Sequence, residues 1–171
     1  MLNKHEIEKL IKNADLISGY INLEKQLTPN GFDMTVRKIF EYDSPGELDF
    51  SNSERIIPNC LEIMPVKKKE EDKYGWWNLK KSAYKILTNE EIRVPNDLIA
   101  IAFTRSSLLR MGAFTQNGVW DAGFCGKSEF ILIVENNFGI KIKQNARVVQ
   151  LIFENINPIK EGYNGIHQNK K

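Results

Sequence analysis

Cysteine and histidine are scarce in this 171-residue chain, and the scarcity excludes several chemistries. Its two cysteines, Cys60 and Cys125, have neither the density of a disulfide framework nor the spacing of a metal site. Its two histidines, His5 and His167, lie near opposite ends. A histidine-rich zinc centre is therefore not expected, nor the zinc-dependent route to base deamination, nor a Ser-His-Asp triad with a core histidine. No apolar run reaches membrane length and no secretory signal pattern is present, so a cytoplasmic location without membrane contact is expected. An excess of one charge is missing too: the net charge is +2. Residues 67–69, three lysines, are followed at once by Glu70, Glu71 and Asp72, the pattern of a solvated loop rather than a nucleic-acid patch, and no nucleic-acid partner is expected. No internal repeat is evident.

Helical periodicity is confined to one place. Ile7, Leu10, Ile11 and Ala14 recur at helical spacing over residues 3–17, and Asn3 with Glu6 has the form of a capping box. Residues 20–27 read as a short extended stretch, and Thr28-Pro29-Asn30-Gly31 as a turn. Short strand patterns follow at residues 32–40, 60–66, 84–88, 98–104, 130–134, 140–143 and 148–153, with residues 89–97 as a connecting loop. Trp76 and Trp77 are a bulky pair suited to covering a core edge or a subunit contact. Many short strands with turn signals and little helix predict an all-β sandwich or barrel. The length is sufficient for a single domain over 1–171, with a helical segment at 1–19 and a flexible tail at 158–171.

Three stretches concentrate polar groups beside glycine or short apolar strands. RSSLLRMG (105–112) supplies Arg105, Ser106, Ser107 and Arg110; it is either an anion-binding turn, whose guanidinium forks match phosphate oxygens, or a solvated basic turn. NGVWDAGFCGK (117–127) opens on Asn117-Gly118, a two-residue hairpin signal, and carries Asp121 between Trp120 and Phe124. That carboxylate suits activating water or accepting a sugar hydroxyl, and equally an Asx-turn. ARVVQLIF (146–153) is a strand bearing Gln150.

With GFDMTV (31–36) and the Glu90-x-Ile92-x-x-Pro95 approach, these stretches stand in the order and spacing of one family. The chain resembles the superfamily of dUTPases and dCTP deaminases over residues 28–168, closest to the archaeal-type dUTPases. The resemblance implies a distorted jelly roll, or β-clip, with a short N-terminal helix, assembling as a homotrimer with shared active sites. It implies dUTP as substrate and Mg2+ as cofactor, the ion held by triphosphate oxygens and water with no direct protein ligand, near Asp33. Asp121 would hold the attacking water and the 3′-hydroxyl, and Asp33 would support the metal-water shell. Arg105, Ser106 and Ser107 would orient the phosphates with Arg110 in support, and Gln150 would contact a phosphate. Phe124 would pack on the deoxyribose. The base would lie along the hairpin that includes Asn117, Gly118, Val119 and Trp120. A closing tail would bring Tyr163 and Gln168 to the nucleotide, although the Phe-Gly-Ser/Thr form of many dUTPases is missing.

The resemblance also presents a departure. In the deaminases a catalytic glutamate lies ten residues beyond the third-motif aspartate, and ten beyond Asp121 is Ile131. Isoleucine cannot shuttle protons, which favours dUTP hydrolysis. Glu129 lies two residues earlier on the same strand face, and a bulge there would change the register, so dCTP deamination or a bifunctional enzyme stays open. Glu135 is a second candidate proton shuttle. A non-catalytic nucleotide-binding trimer is the third reading.

Overall fold

The computed structural model describes residues 1–169. In chain order the elements are α1 (Lys4–Ala14), β1 (Ile17–Ser18), α2 (Leu23–Gln26), β2 (Leu27–Thr28), β3 (Gly31–Tyr42), β4 (Cys60–Ile63), β5 (Trp76–Leu79) and β6 (Ser82–Arg93). They continue with β7 (Leu98–Thr104), α3 (Ser106–Arg110), β8 (Ala113–Gln116), β9 (Cys125–Val134), β10 (Ile140–Lys143) and β11 (Arg147–Asn155). The main sheet runs β7-β11-β3-β6-β9-β8, with β1 on β6 and with β2 and β4 on β3, while β5 and β10 form a separate pair. The path curls until its two ends meet. Thr104 Oγ1 on β7 accepts from Thr115 N on β8 at 2.9 Å, and Ala100 bridges Trp120. The crossing order and near-closure are those of the expected all-β jelly roll.

The central strand explains the core. β3 pairs with β11 through Phe32 to Thr35 and with β6 from Val36 onward, and residues 31–36 are buried without alternation, so both its faces are covered there. Phe32, Met34 and Val36 fill one side, packed with Phe153, Ile86 and Leu151. Burying each such side chain stabilises the fold by roughly 1.5–3 kcal/mol. Trp77 is sealed in the core with its indole N–H donating to Ile63 O at 2.7 Å, while Trp76 lies half-buried beside it.

Burial on both faces also forces a polar solution inside the sheet. Residues 88–90 of β6 form a bulge against Ser128, between the Leu87–Glu129 and Glu91–Lys127 pairs. The bulge turns Glu90 inward, where it is wholly buried. Its Oε1 accepts from Gln26 Nε2 (2.7 Å) and Thr35 Oγ1 (2.6 Å), and its Oε2 from Thr35 N (2.9 Å). Among the described residues no cation forms an ion pair with it. Burial holds the Glu90 carboxyl above its ordinary range, against the pull of these hydrogen bonds.

Several local expectations are corrected. Helix α1 ends at Ala14 rather than residue 17 or 19, because Asp15 enters the left-handed region (φ 50°) and closes it. Residues 20–27 are not extended: Asn22 caps the single turn α2, accepting from Lys25 N at 2.9 Å. Residues 89–97 are not all loop, since β6 continues through its bulge to Arg93. RSSLLRMG is a short helix, α3, with Arg105 at its N-cap, rather than a turn. Asn117-Gly118 does not make a two-residue hairpin. β8 and β9 pair only from Gln116 and Ile131 outward, and Trp120 is drawn instead to Ala100 on β7.

The N-terminus follows its sequence signal closely. Asn3 Oδ1 accepts from His5 N and Glu6 N, and Glu6 Oε2 accepts from Asn3 N at 2.8 Å. Asn3→Ala should therefore lower stability by about 1 kcal/mol, read as a shift in urea midpoint with unchanged slope at fixed protein concentration.

Candidate functional site

Asp33 is on β3 and 2% exposed, so its carboxylate must be compensated locally. Two elements supply the charge. Arg105, where β7 turns into α3, brings Nε to 3.0 Å of Asp33 Oδ2; Arg147, opening β11, brings Nη1 to 3.1 Å of the same oxygen. Arg147 Nη1 also donates to Lys25 O at 2.6 Å. Burial pushes the Asp33 carboxyl above its usual range, and the Arg105 and then the Arg147 guanidinium pull it back. Gln150 pairs with Asp33 across β11 and β3, and its Nε2 donates to Thr28 Oγ1 at 2.5 Å. Two guanidiniums against one carboxylate leave an excess positive charge, and each arginine retains N–H donors beyond those facing Asp33. Both side chains are partly open to solvent. The cluster is suited to an oxyanion such as a phosphate. Ser106, Ser107 and Arg110 lie exposed on α3 beside it.

Asp121 is elsewhere. It is exposed on the rim of a cleft of about 260 Å³ that also takes in Phe124, Lys127, Glu129, Tyr163 and His167. Trp120 forms the buried wall, its Nε1 donating to Ser128 Oγ at 2.8 Å. Phe124 packs edge-on against Tyr163 at 5.7 Å between centroids. Lys127 Nζ donates to Asn89 O at 2.7 Å, and burial lowers the lysine from its ordinary range. The tail reaches this cleft through backbone contacts. Tyr163 N donates to Ala122 O, and Gln168 clasps the strand start by accepting from Cys125 N and donating to Gly123 O, both at 2.9 Å. Gly123 (φ +82°) admits it, because a Cβ there would lie 2.6 Å from Gly162 Cα. Gly118 and Val119 are exposed and line both this cleft and a second one toward Phe103 and Asn117. The buried Asn117 Oδ1 has no hydrogen-bond partner among the described residues, which leaves an acceptor for a ligand there.

The expected site residues thus fall into two groups. Asp33, Arg105 and Gln150 gather on one side of β7, and Asp121, Phe124, Tyr163 and the 117–120 loop on the other. By the pairings of Asp33 with Gln150 and of Gln150 with Phe103 and then the Ala100–Trp120 bridge the two groups are three strand rows apart, and by β3, β6 and β9 they are two. That is on the order of 10–15 Å by sheet spacing. Arg147 and Lys127 lie within two of the quoted stretches and His167 within the expected closing tail, but none was assigned a role at the site by sequence. Arg147 stands within ARVVQLIF, and Lys127 shares the outward alternation of Glu129 on β9. Glu129 lines the Asp121 cleft and also meets Lys85 Nζ at 3.4 Å, while Ile131 lies outside the lining.

The chain belongs to the dCTP deaminase-like family, which it matches over residues 1–156. Among its relatives, a protein of Methanosarcina mazei named probable deoxyuridine 5′-triphosphate nucleotidohydrolase is 42% identical over 99% of this chain and 97% of its own length. One from Methanocaldococcus jannaschii, named deoxyuridine 5′-triphosphate nucleotidohydrolase, is 35% identical over 86% of this chain and 90% of its own. Among solved structures, the 2′-deoxycytidine 5′-triphosphate deaminase of Agrobacterium tumefaciens superposes with a TM-score of 0.62 at 17% identity. That match covers 91% of this chain and 48% of the deaminase, and it shows a shared fold.

The buried carboxylates set a pH dependence. A carboxyl raised by folding gives stability that is fully present below its ordinary value and is lost as pH rises through the raised one. Glu90 is raised; Glu90→Gln cannot titrate. The stability of the wild type minus that of Glu90→Gln should fall as pH climbs from the ordinary glutamate range upward, measured as urea unfolding free energies across that range. A constant or rising difference contradicts the assignment.

Proposed function

We propose that this protein hydrolyses dUTP to dUMP and pyrophosphate. The observation that carries the reading is the pair of half-sites: an arginine-lined anion cluster at Asp33 and an Asp121 cleft walled by Trp120 and Phe124. The names of relatives matching nearly the whole chain supply the nucleotide. The cleft lies near the lower end of small-molecule sites, ~300–1,000 Å³, which suits the nucleoside end of the substrate rather than all of it. Asp121 orients a water and accepts its proton as the water oxygen bonds to the α-phosphorus in line; the bond from that phosphorus to the α,β-bridging oxygen breaks, and pyrophosphate leaves. Arg105 and Arg147 receive the phosphate charge, with Ser106, Ser107, Arg110 and Gln150 in support. Asp121 also accepts from the 3′-hydroxyl, Phe124 packs on the deoxyribose, and the 113–120 segment reads uracil, with Asn117 Oδ1 placed to accept from the base. Tyr163 and Gln168 hold the tail over the nucleotide.

Two consequences concern what completes the site. The anion cluster and the Asp121 cleft are separate sites on one chain, and in the homotrimer that the family resemblance implies each is completed by the other half from a neighbouring copy. No group of three or more His, Cys, Asp or Glu side chains among the described residues is arranged to hold a metal, and the Asp33 carboxylate already faces two arginines. The donor set does not fit a protein-held ion. Mg2+ instead arrives on the triphosphate oxygens as part of the substrate, where it neutralises charge.

Glu129 supports a second reading. It lines the same cleft as Asp121, where a carboxylate would be required for hydrolytic deamination of dCTP to dUTP and ammonia. Product analysis with each nucleotide and Mg2+ separates the two. Pyrophosphate and dUMP from dUTP alone support the hydrolase; ammonia from dCTP transfers the assignment to Glu129, and neither product leaves a nucleotide-binding protein. Asp121→Asn should keep dUTP binding while turnover falls by about 100-fold or more, and near-normal turnover removes its assigned role. Mixing inactive Asp121→Asn with inactive Arg105→Ala under subunit exchange should restore activity, because some mixed sites then combine an intact Asp121 with an intact Arg105. Silence in that mixture refutes shared sites.

A further inference from the structure

The segment that precedes the central strand touches three members of the anion cluster. Lys25 O accepts from Arg147 Nη1 at 2.6 Å, Gln26 Nε2 donates to Asp33 O at 2.9 Å, and Thr28 Oγ1 accepts from Gln150 Nε2 at 2.5 Å. Arg105 is reached through the Asp33 carboxylate. None of these three residues was expected to serve the site, and α2 itself is a single turn with no reason to persist alone. Its anchorage explains it. Gln26 is buried and fully engaged: its Oε1 accepts from Ile21 N (2.7 Å) and Asn22 N (2.9 Å), and its Nε2 also donates to the buried Glu90. Glu90 is in turn locked to Thr35, two residues beyond Asp33. At the other end, Thr28 pairs with Gly31 across the Pro29-Asn30 turn, and Lys4 N at the start of α1 donates to Pro29 O at 2.9 Å. The segment is therefore held at both ends by the core, and it presents fixed acceptors to the Arg147 and Gln150 side chains.

We infer that residues 25–28 form a positioning bracket that sets the phosphate-binding geometry, with Gln26 and Thr28 as positioning residues. The inference rests on the reading that the Asp33 cluster receives the triphosphate. Neither residue touches the reacting atoms. Thr28 holds the amide of Gln150 in one orientation, and Gln26 fixes the strand height of Asp33 and thereby the meeting point of the two guanidiniums. Residues 25–28 do not line the nucleoside cleft, to which Gln26 connects only through Glu90, Thr88 and Ser128.

Gln26→Leu would strip Glu90 of a donor inside the core, so the informative variant is Thr28→Val, which keeps shape and removes only the hydroxyl. Binding of the non-hydrolysable α,β-imido analogue of dUTP with Mg2+ is measured by calorimetry, binding of 2′-deoxyuridine by NMR titration, and turnover of dUTP in parallel. For Thr28→Val the analogue should bind more weakly by about threefold to tenfold, the worth of one lost hydrogen bond. KM for dUTP should rise by a similar factor, with deoxyuridine affinity unchanged. Thr28→Ser should restore wild-type values. Unchanged analogue affinity, equal weakening of both ligands, or failure of the serine to rescue overturns the bracket. If the wild type binds the analogue but does not hydrolyse dUTP, the hydrolase reading fails and the binding series still decides the bracket. A wild type that binds no analogue overturns both.

Discussion

A carboxylate in the middle of a sheet is the constraint around which this molecule is arranged. Asp33 stands in the wholly buried first half of β3, paired with β11 on one edge and with its carbonyl met by Gln26 Nε2 on the other. An unpaired charge there would cost several kcal/mol. The compensation comes from two arginines distant in sequence, one at the exit of β7 and one at the entry of β11. Satisfying one buried charge therefore draws the ends of three strands to one point. It also leaves that point electropositive, because two guanidiniums answer one carboxylate. The same pairing that allows Asp33 to be buried prepares a surface for anions.

The polar interior continues through a second carboxylate with a different solution. Glu90 is surrounded by hydrogen-bond donors rather than cations, and a bulge in β6 is what turns it inward. The same bulge frees Thr88 Oγ1 to donate to Glu90 O and to accept from Ser128 N, and Ser128 Oγ holds Trp120. A continuous run of hydrogen bonds thus extends from the backbone of Asp33, through Gln26 and Glu90, to the wall of the Asp121 cleft. Both halves of the candidate site rest on one irregularity in one strand.

What was legible in the sequence was local. The Asn3 capping box, the Pro29-Asn30 turn and the short strand patterns of β9, β10 and β11 each follow from neighbours a few residues apart, and the four motifs in order carried the fold. What escaped depends on distant partners. Nothing near Asn117-Gly118 indicates that Trp120 would bridge Ala100, and that bridge displaces the tight hairpin the dipeptide favours. A four-residue helix such as α2 has no periodicity to read; its persistence comes from Gln26 meeting a glutamate 64 positions away. Arg147 lay within a quoted motif, yet its partnership with Asp33 requires the β11–β3 register, which spans most of the chain. The residue types at the site could be read directly, whereas the division of the site into two halves became visible only with the strand order.

Shared sites, as proposed, would subject the protein to mass action. If each chain carries two incomplete halves that cannot close on the same nucleotide, catalytic capacity belongs to the assembly and vanishes on dissociation. Specific activity then becomes a function of the protein's own concentration, low when the chain is scarce and saturating once subunits associate. On that proposal a defective chain would also harm more than its share, since it would contribute a faulty half to one neighbour's site and a second half to another's. In a cell making both a sound and a damaged version, the loss would exceed the fraction of damaged chains.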